Sequence, residues 1–185
     1  MRISELECTD EGKINALLIE GRVGYLGLFD KEYPYVVPLN YVWLDGKIYF
    51  HGADAGKKAE LMGADAHCSF TVCKEYGTIS HPVPARTDTA YISVMIFGKV
   101  TQVAEWDEST HVMQALLDKY VPGYYDRGLA RSHVEKYRSS HGSVTAVYCV
   151  RPDTISAKEK PLDQTLEFVP GKTAAGDLQR FKAMS

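Results

Sequence analysis

The sequence is short of long apolar runs, of paired cysteines and of surplus charge, and each shortage removes a class of protein. Its longest uninterrupted apolar run, Ala146 to Val150, falls far below the roughly 20 residues that a membrane helix needs. Met1-Arg2 leads into Glu5 and Glu7 instead of an apolar signal region, so the expected address is the cytoplasm. Cys8, Cys68, Cys73 and Cys149 form no CxxC pair; no zinc pattern is present and free thiols are expected. Lys plus Arg number 21 against 24 Asp plus Glu, a net charge of -3, which makes nucleic acid and anionic membranes poor partners. There is no GxGxxG, Walker loop or nucleophile elbow. His67, His81, His111, His133 and His141 lack the mutual spacing of a metal set, so no metal is expected.

What remains is a chain of 185 residues, 45% hydrophobic and 24% charged, the profile of one ordinary globular domain. Thr9-Asp10-Glu11 ahead of Ile14, Leu17 and Leu18 reads as a capped helix that Gly21 ends. Strand-like runs follow over 23–29, 35–44 and 47–51, the last two joined by Asp45-Gly46, a strong hairpin signal. A short helix over 52–62, ending by Gly63, leads to strands over 67–73 and 90–104. Cys68 and Cys73 then point to opposite faces of one strand. The segment 74–89, with Gly77, Pro82 and Pro84, reads as a long loop. A helix from Asp107 to Tyr120, stopped by Pro122-Gly123, buries Val112, Met113, Leu116 and Leu117. After a loop with a helical turn near 133–137, a last strand runs from Ser143 to Val150. Beyond Arg151 the periodicity is weak. These signals predict a mainly β protein, an antiparallel barrel of about six strands with peripheral helices.

Three places offer chemistry. His51 closes a strand and precedes Gly52-Ala53-Asp54-Ala55-Gly56-Lys57-Lys58, a glycine-bracketed turn with two ammonium groups that is either a phosphate cradle or a solvated helix face. Pro38, within Val37-Pro38-Leu39-Asn40, removes a ladder hydrogen bond and marks an edge strand. Its free backbone groups, the Asn40 amide and apolar walls from Val37 and Leu39 suit the polar edge of a flat heteroaromatic ring; a proline that merely deters aggregation explains the segment equally well. Ser93, in the apolar strand Tyr91 to Gly98, either completes a phosphate site with Lys57 and Lys58 or hydrogen-bonds to nearby backbone.

In order, Gly21 to Leu26, Tyr33 to Val42, Gly46 to Gly52, Gly56-Lys57-Lys58, Ser93 to Val100 and the helix from Asp107 to Tyr120 resemble the pyridoxamine 5′-phosphate oxidase-like split-barrel flavoproteins, in particular the nitroimidazole-resistance (nitroimidazole reductase) type. The likeness covers about residues 10 to 158. It implies a six-stranded antiparallel split barrel, the domain of residues 1–158; the tail over 159–185 lies outside the likeness and, from its weak periodicity, reads as extended or partly disordered. It also implies a homodimer with FMN in clefts at its interface. Carried over, Val37, Pro38, Leu39 and Asn40 would meet the isoalloxazine ring, while Lys57, Lys58 and Ser93 would hold the phosphate. His51 would lie beside the flavin and serve substrate positioning or proton donation. The chain ends without the Arg-His-rich segment of true pyridoxamine 5′-phosphate oxidases, which argues against vitamin B6 oxidation. The expected activity is FMN-dependent reduction of a small electrophilic acceptor such as a nitroaromatic or a quinone. The alternative is a flavin- or haem-binding module with little turnover, for which His51 would be an axial ligand.

Overall fold

A computed structural model describes residues 4–63, 66–138 and 142–184; His141 lies outside them. Helix α1 (Glu11–Glu20) starts where the Asp10 carboxylate accepts a hydrogen bond from the Lys13 amide at 3.1 Å. It buries Leu17 and Leu18 and ends at Gly21. The glycine is needed there for space: a Cβ would lie 2.7 Å from the Tyr41 hydroxyl and 2.7 Å from a Val72 methyl.

Strands β1 (Gly24–Phe29) and β2 (Pro34–Leu39) form one hairpin, and β3 (Val42–Leu44) and β4 (Lys47–Ala53) another. The second turns on Asp45 and Gly46, with φ of 48° and 73°, the left-handed pair that Asp-Gly favours. Helix α2 (Lys57–Met62) leads into the long hairpin of β5 (Ala66–Ile79) and β6 (Asp88–Gln102). Then come α3 (Trp106–Tyr120), α4 (Arg131–Lys136), β7 (Thr145–Lys160) and α5 (Ala174–Met184). No described helix is long and apolar enough to cross a membrane.

The strands form one antiparallel sheet in the order β2-β1-β5-β6-β7-β4-β3. The described residues form seven strands and not the six expected, because the run 35–44 breaks at Asn40–Tyr41 into β2 and β3, which occupy opposite edges of the sheet. A two-residue link between opposite edges requires the sheet to curl until they meet, which makes it a split barrel. Its interior holds Leu26, Ile48, Phe50, Phe70, Val94, Ile96 and Val150 with α1 packed in, and a second cluster joins Tyr49, Val147 and Cys149 to Val112 and Leu116 of α3.

Two further expectations are corrected. The predicted loop 74–89 shrinks to 80–87, since β5 continues through Lys74, Glu75 and Tyr76 past a bulge before Gly77. Polar side chains hid a strand that β6 holds in register. Likewise β7 does not stop at Val150 but pairs with β6 as far as Lys160. It accommodates Pro152 at a bulge opposite Gly98, where a side chain would overlap the Arg151 carbonyl. Beyond it, the Ser80 amide donates to the Leu166 carbonyl and the Phe168 amide to the Thr78 carbonyl, both at 2.8 Å. The chain then forms α5, tied down by a buried Lys172–Asp177 ion pair at 3.6 Å.

At the C-terminal turn of α3 the Lys119 ammonium is sealed from solvent without a hydrogen-bond partner among the described residues, 4.1 Å from the centroid of the Tyr41 ring. Burial, with the Arg22 charge second, lowers its pKa to about 8. Below that value Lys119 is protonated in both states and the folded state bears the desolvation cost. That cost fades as pH rises toward 10.5, the ordinary lysine value. Thermal melts should therefore show wild type gaining on Lys119→Met between these values; a gap between the two proteins that does not change with pH would contradict this account.

Candidate functional site

The alternation of β4 sorts its side chains. Ile48 and Phe50 enter the barrel, while Tyr49 turns toward α3 and donates its hydroxyl to Glu108 Oε1 at 2.8 Å. His51 follows on the Tyr49 face, exposed; it does not close the strand as expected, since β4 stays paired with β7 through Ala53. Its ring still stands among enough protein atoms that desolvation, with the Lys58 charge second, holds its pKa below the usual histidine value.

Past Ala53 the chain turns through Gly56, whose φ of 91° suits glycine, into α2, anchored by the buried Met62. The two lysines of α2 part here. Lys57 forms an ion pair with Asp30, just beyond β1, and lies 5.7 Å from the Tyr35 ring. That pairing holds the Asp30 carboxyl below and the Lys57 ammonium above their ordinary pKa values. Lys58 is half-buried and has no carboxylate partner among the described residues. Its ammonium reaches over the barrel mouth to 5.6 Å from the Phe50 ring. It fills the space left by Gly52, where a Cβ would lie 2.5 Å from Nζ. Beneath it Phe50 stacks on Tyr148 at 5.4 Å, and the Tyr148 hydroxyl donates to the Ala53 carbonyl at 3.2 Å. Burial lowers the Lys58 pKa, as expected of a cation without a counter-charge.

Strand β2 lies at a sheet edge. Val37 and Leu39 turn inward and pack on the barrel core, whereas Pro38 and Asn40 are exposed. The side chains of Val37 and Leu39 therefore line the barrel interior, and what Val37-Pro38-Leu39-Asn40 offers outward is edge backbone, the proline ring and the Asn40 amide. Ser93 lies on the outer face of β6 with Met95 and Phe97, opposite Cys73 and Lys158. Lys57 is tied to the end of β1, where Leu28 pairs with Cys68 and Cys68 with Gly98. Ser93 lies five residues along β6 from that row, about 17 Å at the rise of a strand. One chain thus gathers His51, Lys57 and Lys58 around α2 and leaves Ser93 apart.

Residue-by-residue reading missed a cleft of about 390 Å³ across β2, β1, β5 and β6. Phe29, Val36 and Phe97 line it, flat glycines at 27 and 98 floor it, and Asp30 and Asp153 stand on its rim. Phe29 is 82% and Val36 58% exposed. A signal was present: Val94-Met95-Ile96-Phe97 is apolar at every position, which marks a strand with both faces covered. The Cys68 thiol beside the cleft is pushed up to about 12 by burial, with the Asp153 charge second, and is unreactive. No group of three His, Cys, Asp or Glu among the described residues is placed to hold a metal.

Residues 10–159 match the family model described as pyridoxamine 5′-phosphate oxidase. No curated protein matches the chain. Among similar solved structures, the flavocytochrome Anf3 from Azotobacter vinelandii superposes with a TM-score of 0.73 at 20% identity, over 89% of this chain and 75% of its own. The FAD and heme binding protein from Mycobacterium smegmatis gives 0.69 at 17%, over 90% and 80%. A protein from Bacteroides thetaiotaomicron described as a putative 5-nitroimidazole antibiotic resistance protein gives 0.63 at 20%, over 83% and 86%. At these identities the likeness establishes the fold. With the family model spanning the barrel from α1 to the end of β7, the chain belongs to the pyridoxamine 5′-phosphate oxidase family and has its split-barrel fold.

Proposed function

We propose that the protein is an FMN-dependent oxidoreductase, a homodimer in the cytoplasm, that reduces a small electrophilic acceptor such as a nitroaromatic or a quinone. The observation that carries this reading is Lys58, a half-buried cation at the barrel mouth whose counter-charge is not among the described residues. A phosphate dianion supplies what such a site lacks.

The residues fit the cofactor unequally. Lys58 would face the phosphate, while Lys57, committed to Asp30, holds α2 in place. The outer edge of β2 and the exposed Asn40 amide would meet the polar edge of the ring. Ser93, about 17 Å away along its own chain, would reach a phosphate only from a second copy. The exposed apolar face of Phe29, Val36 and Phe97 suits a dimer interface. FMN supplies the electron-transfer chemistry, so the protein needs to bind, orient and deliver a proton. His51, exposed and beside Lys58, is the group placed to do the last. The four cysteines are free thiols, which suits a reducing compartment. A second reading, a flavin- or haem-binding module with little turnover, draws on His67, an exposed imidazole that lines the apolar cleft.

The purified protein should show two flavin bands that bleach on reduction. A Soret band would favour haem, and neither would remove the cofactor reading. Lys58→Ala should weaken FMN binding by roughly 10- to 100-fold, the loss of one charge-assisted contact, and Lys57→Ala by much less; equal losses would move the phosphate away from Lys58. His51→Ala should keep its flavin and slow acceptor reduction in stopped-flow mixing. In wild type that rate should fall as pH rises through a value below the ordinary histidine range, since the protonated imidazole is the donor. An identical profile in the variant would take His51 out of the mechanism. Sedimentation equilibrium should return twice the chain mass, and a monomer at micromolar concentration would leave Ser93 without a role.

A further inference from the structure

Asn40, which the proposed function sets against the flavin ring, has an exposed side chain, and no hydrogen bond to it is recorded among the described residues. Its position is set from both sides. Before it, Leu39 is paired with Gly24 in the β1–β2 ladder. After it, the Tyr41 amide donates to the hydroxyl of Tyr120, at the C-terminus of α3, at 2.9 Å. The Tyr120 hydroxyl gives its single proton to the Arg22 carbonyl at 2.6 Å, and the Tyr41 carbonyl lies 3.1 Å away as a second acceptor. One hydroxyl therefore links the Tyr41 amide to the Arg22 carbonyl, on the segment that enters β1.

The neighbouring groups keep that hydroxyl in place. Arg22 stacks 4.8 Å from the Tyr120 ring, and Lys119 stands 4.1 Å from the ring of Tyr41. The Tyr41 ring is fully buried and meets Phe70 edge-on at 5.2 Å. A corner of two residues that joins opposite sheet edges has little backbone pairing of its own, so Tyr120 supplies the restraint that a ladder supplies elsewhere.

We propose that Tyr120 is a positioning residue for the cofactor: through Tyr41 it fixes the Asn40 corner, so that the Asn40 amide meets the polar edge of the flavin ring without first having to be ordered. The inference rests on the flavin reading above. It differs from a purely structural role because the effect must pass through Asn40.

The test is a double-mutant cycle on FMN affinity, read by quenching of flavin fluorescence, with Tyr120→Phe, Asn40→Ala and the pair. Tyr120→Phe should weaken binding about tenfold, the worth of one lost hydrogen bond, and should add nothing in the Asn40→Ala background. If wild type binds FMN and the two losses simply add, or Tyr120→Phe binds as wild type does, the positioning role is overturned and the flavin reading stands. If wild type binds no FMN, both fall. Hydrogen exchange of the Tyr41 amide in wild type supplies a measurement that does not depend on the variant folding. Protection that is already high without FMN and unchanged with it is expected, whereas protection that appears only on binding would overturn the proposal.

Discussion

Two residues, Asn40 and Tyr41, span the gap between the edge strands of a seven-stranded sheet. Laid flat, six inter-strand steps would separate those edges by about 29 Å. Leu39 and Val42 can be at most about 11 Å apart. The sheet has to curl until its edges meet, and the rest of the architecture follows from that closure. It turns Phe50 and Phe70 toward a shared interior, against which α1 packs Leu17 and Leu18, and leaves a corner that α3 must brace.

Closure also explains the candidate site. Where the barrel mouth opens at the end of β4, the backbone turns back through Gly56 into a short helix whose N-cap residue, that glycine, has no side chain to cap it. That helix is held by what its side chains reach: Met62 in the core, Lys57 on Asp30 and Lys58 over Phe50. Two adjacent lysines of the same chemistry thereby acquire different states. One is neutralised by a carboxylate, and the other is half-buried without a counter-charge among the described residues. The difference comes from Gly52, which leaves room for one ammonium beside the aromatic stack and for no side chain of its own.

Much of the fold was legible because its signals are local. Asp45-Gly46 specified its hairpin, Asp10 began α1 at the expected place, and the spacing of Val112, Met113 and Leu116 announced α3. What escaped was decided by distant partners. Arg151 to Lys160 has no strand periodicity of its own, and β6 imposes its register from some sixty residues away. The split of 35–44 into two edge strands depends on closure, which no window of sequence contains. In the site, Pro38 marked an edge strand for the right reason, the lost donor. The direction of Val37 and Leu39 required the pairing with β1, and the difference between Lys57 and Lys58 required Asp30, which stands 27 positions earlier in the chain.

The position of Ser93 carries the argument beyond one chain. It shares the outer face of β6 with Met95 and Phe97, and that face continues through Gly27 and Ser69 to Val36 on β2. Gly27 in this row and Gly98 in the next leave the cleft floor low: a Cβ at 27 would lie 2.5 Å from the Ser69 hydroxyl, and one at 98 would strike the Arg151 carbonyl. The floor between Phe29, Val36 and Phe97 is therefore low, at 98 because the Pro152 bulge leaves no room for a side chain. An exposed apolar surface with a flat floor is suited to close contact with another surface. A second copy placed there would cover Phe29, Val36 and Phe97 and bring a Ser93 toward a lysine that its own chain cannot reach, so that the same contact would bury the apolar face and complete the anion site.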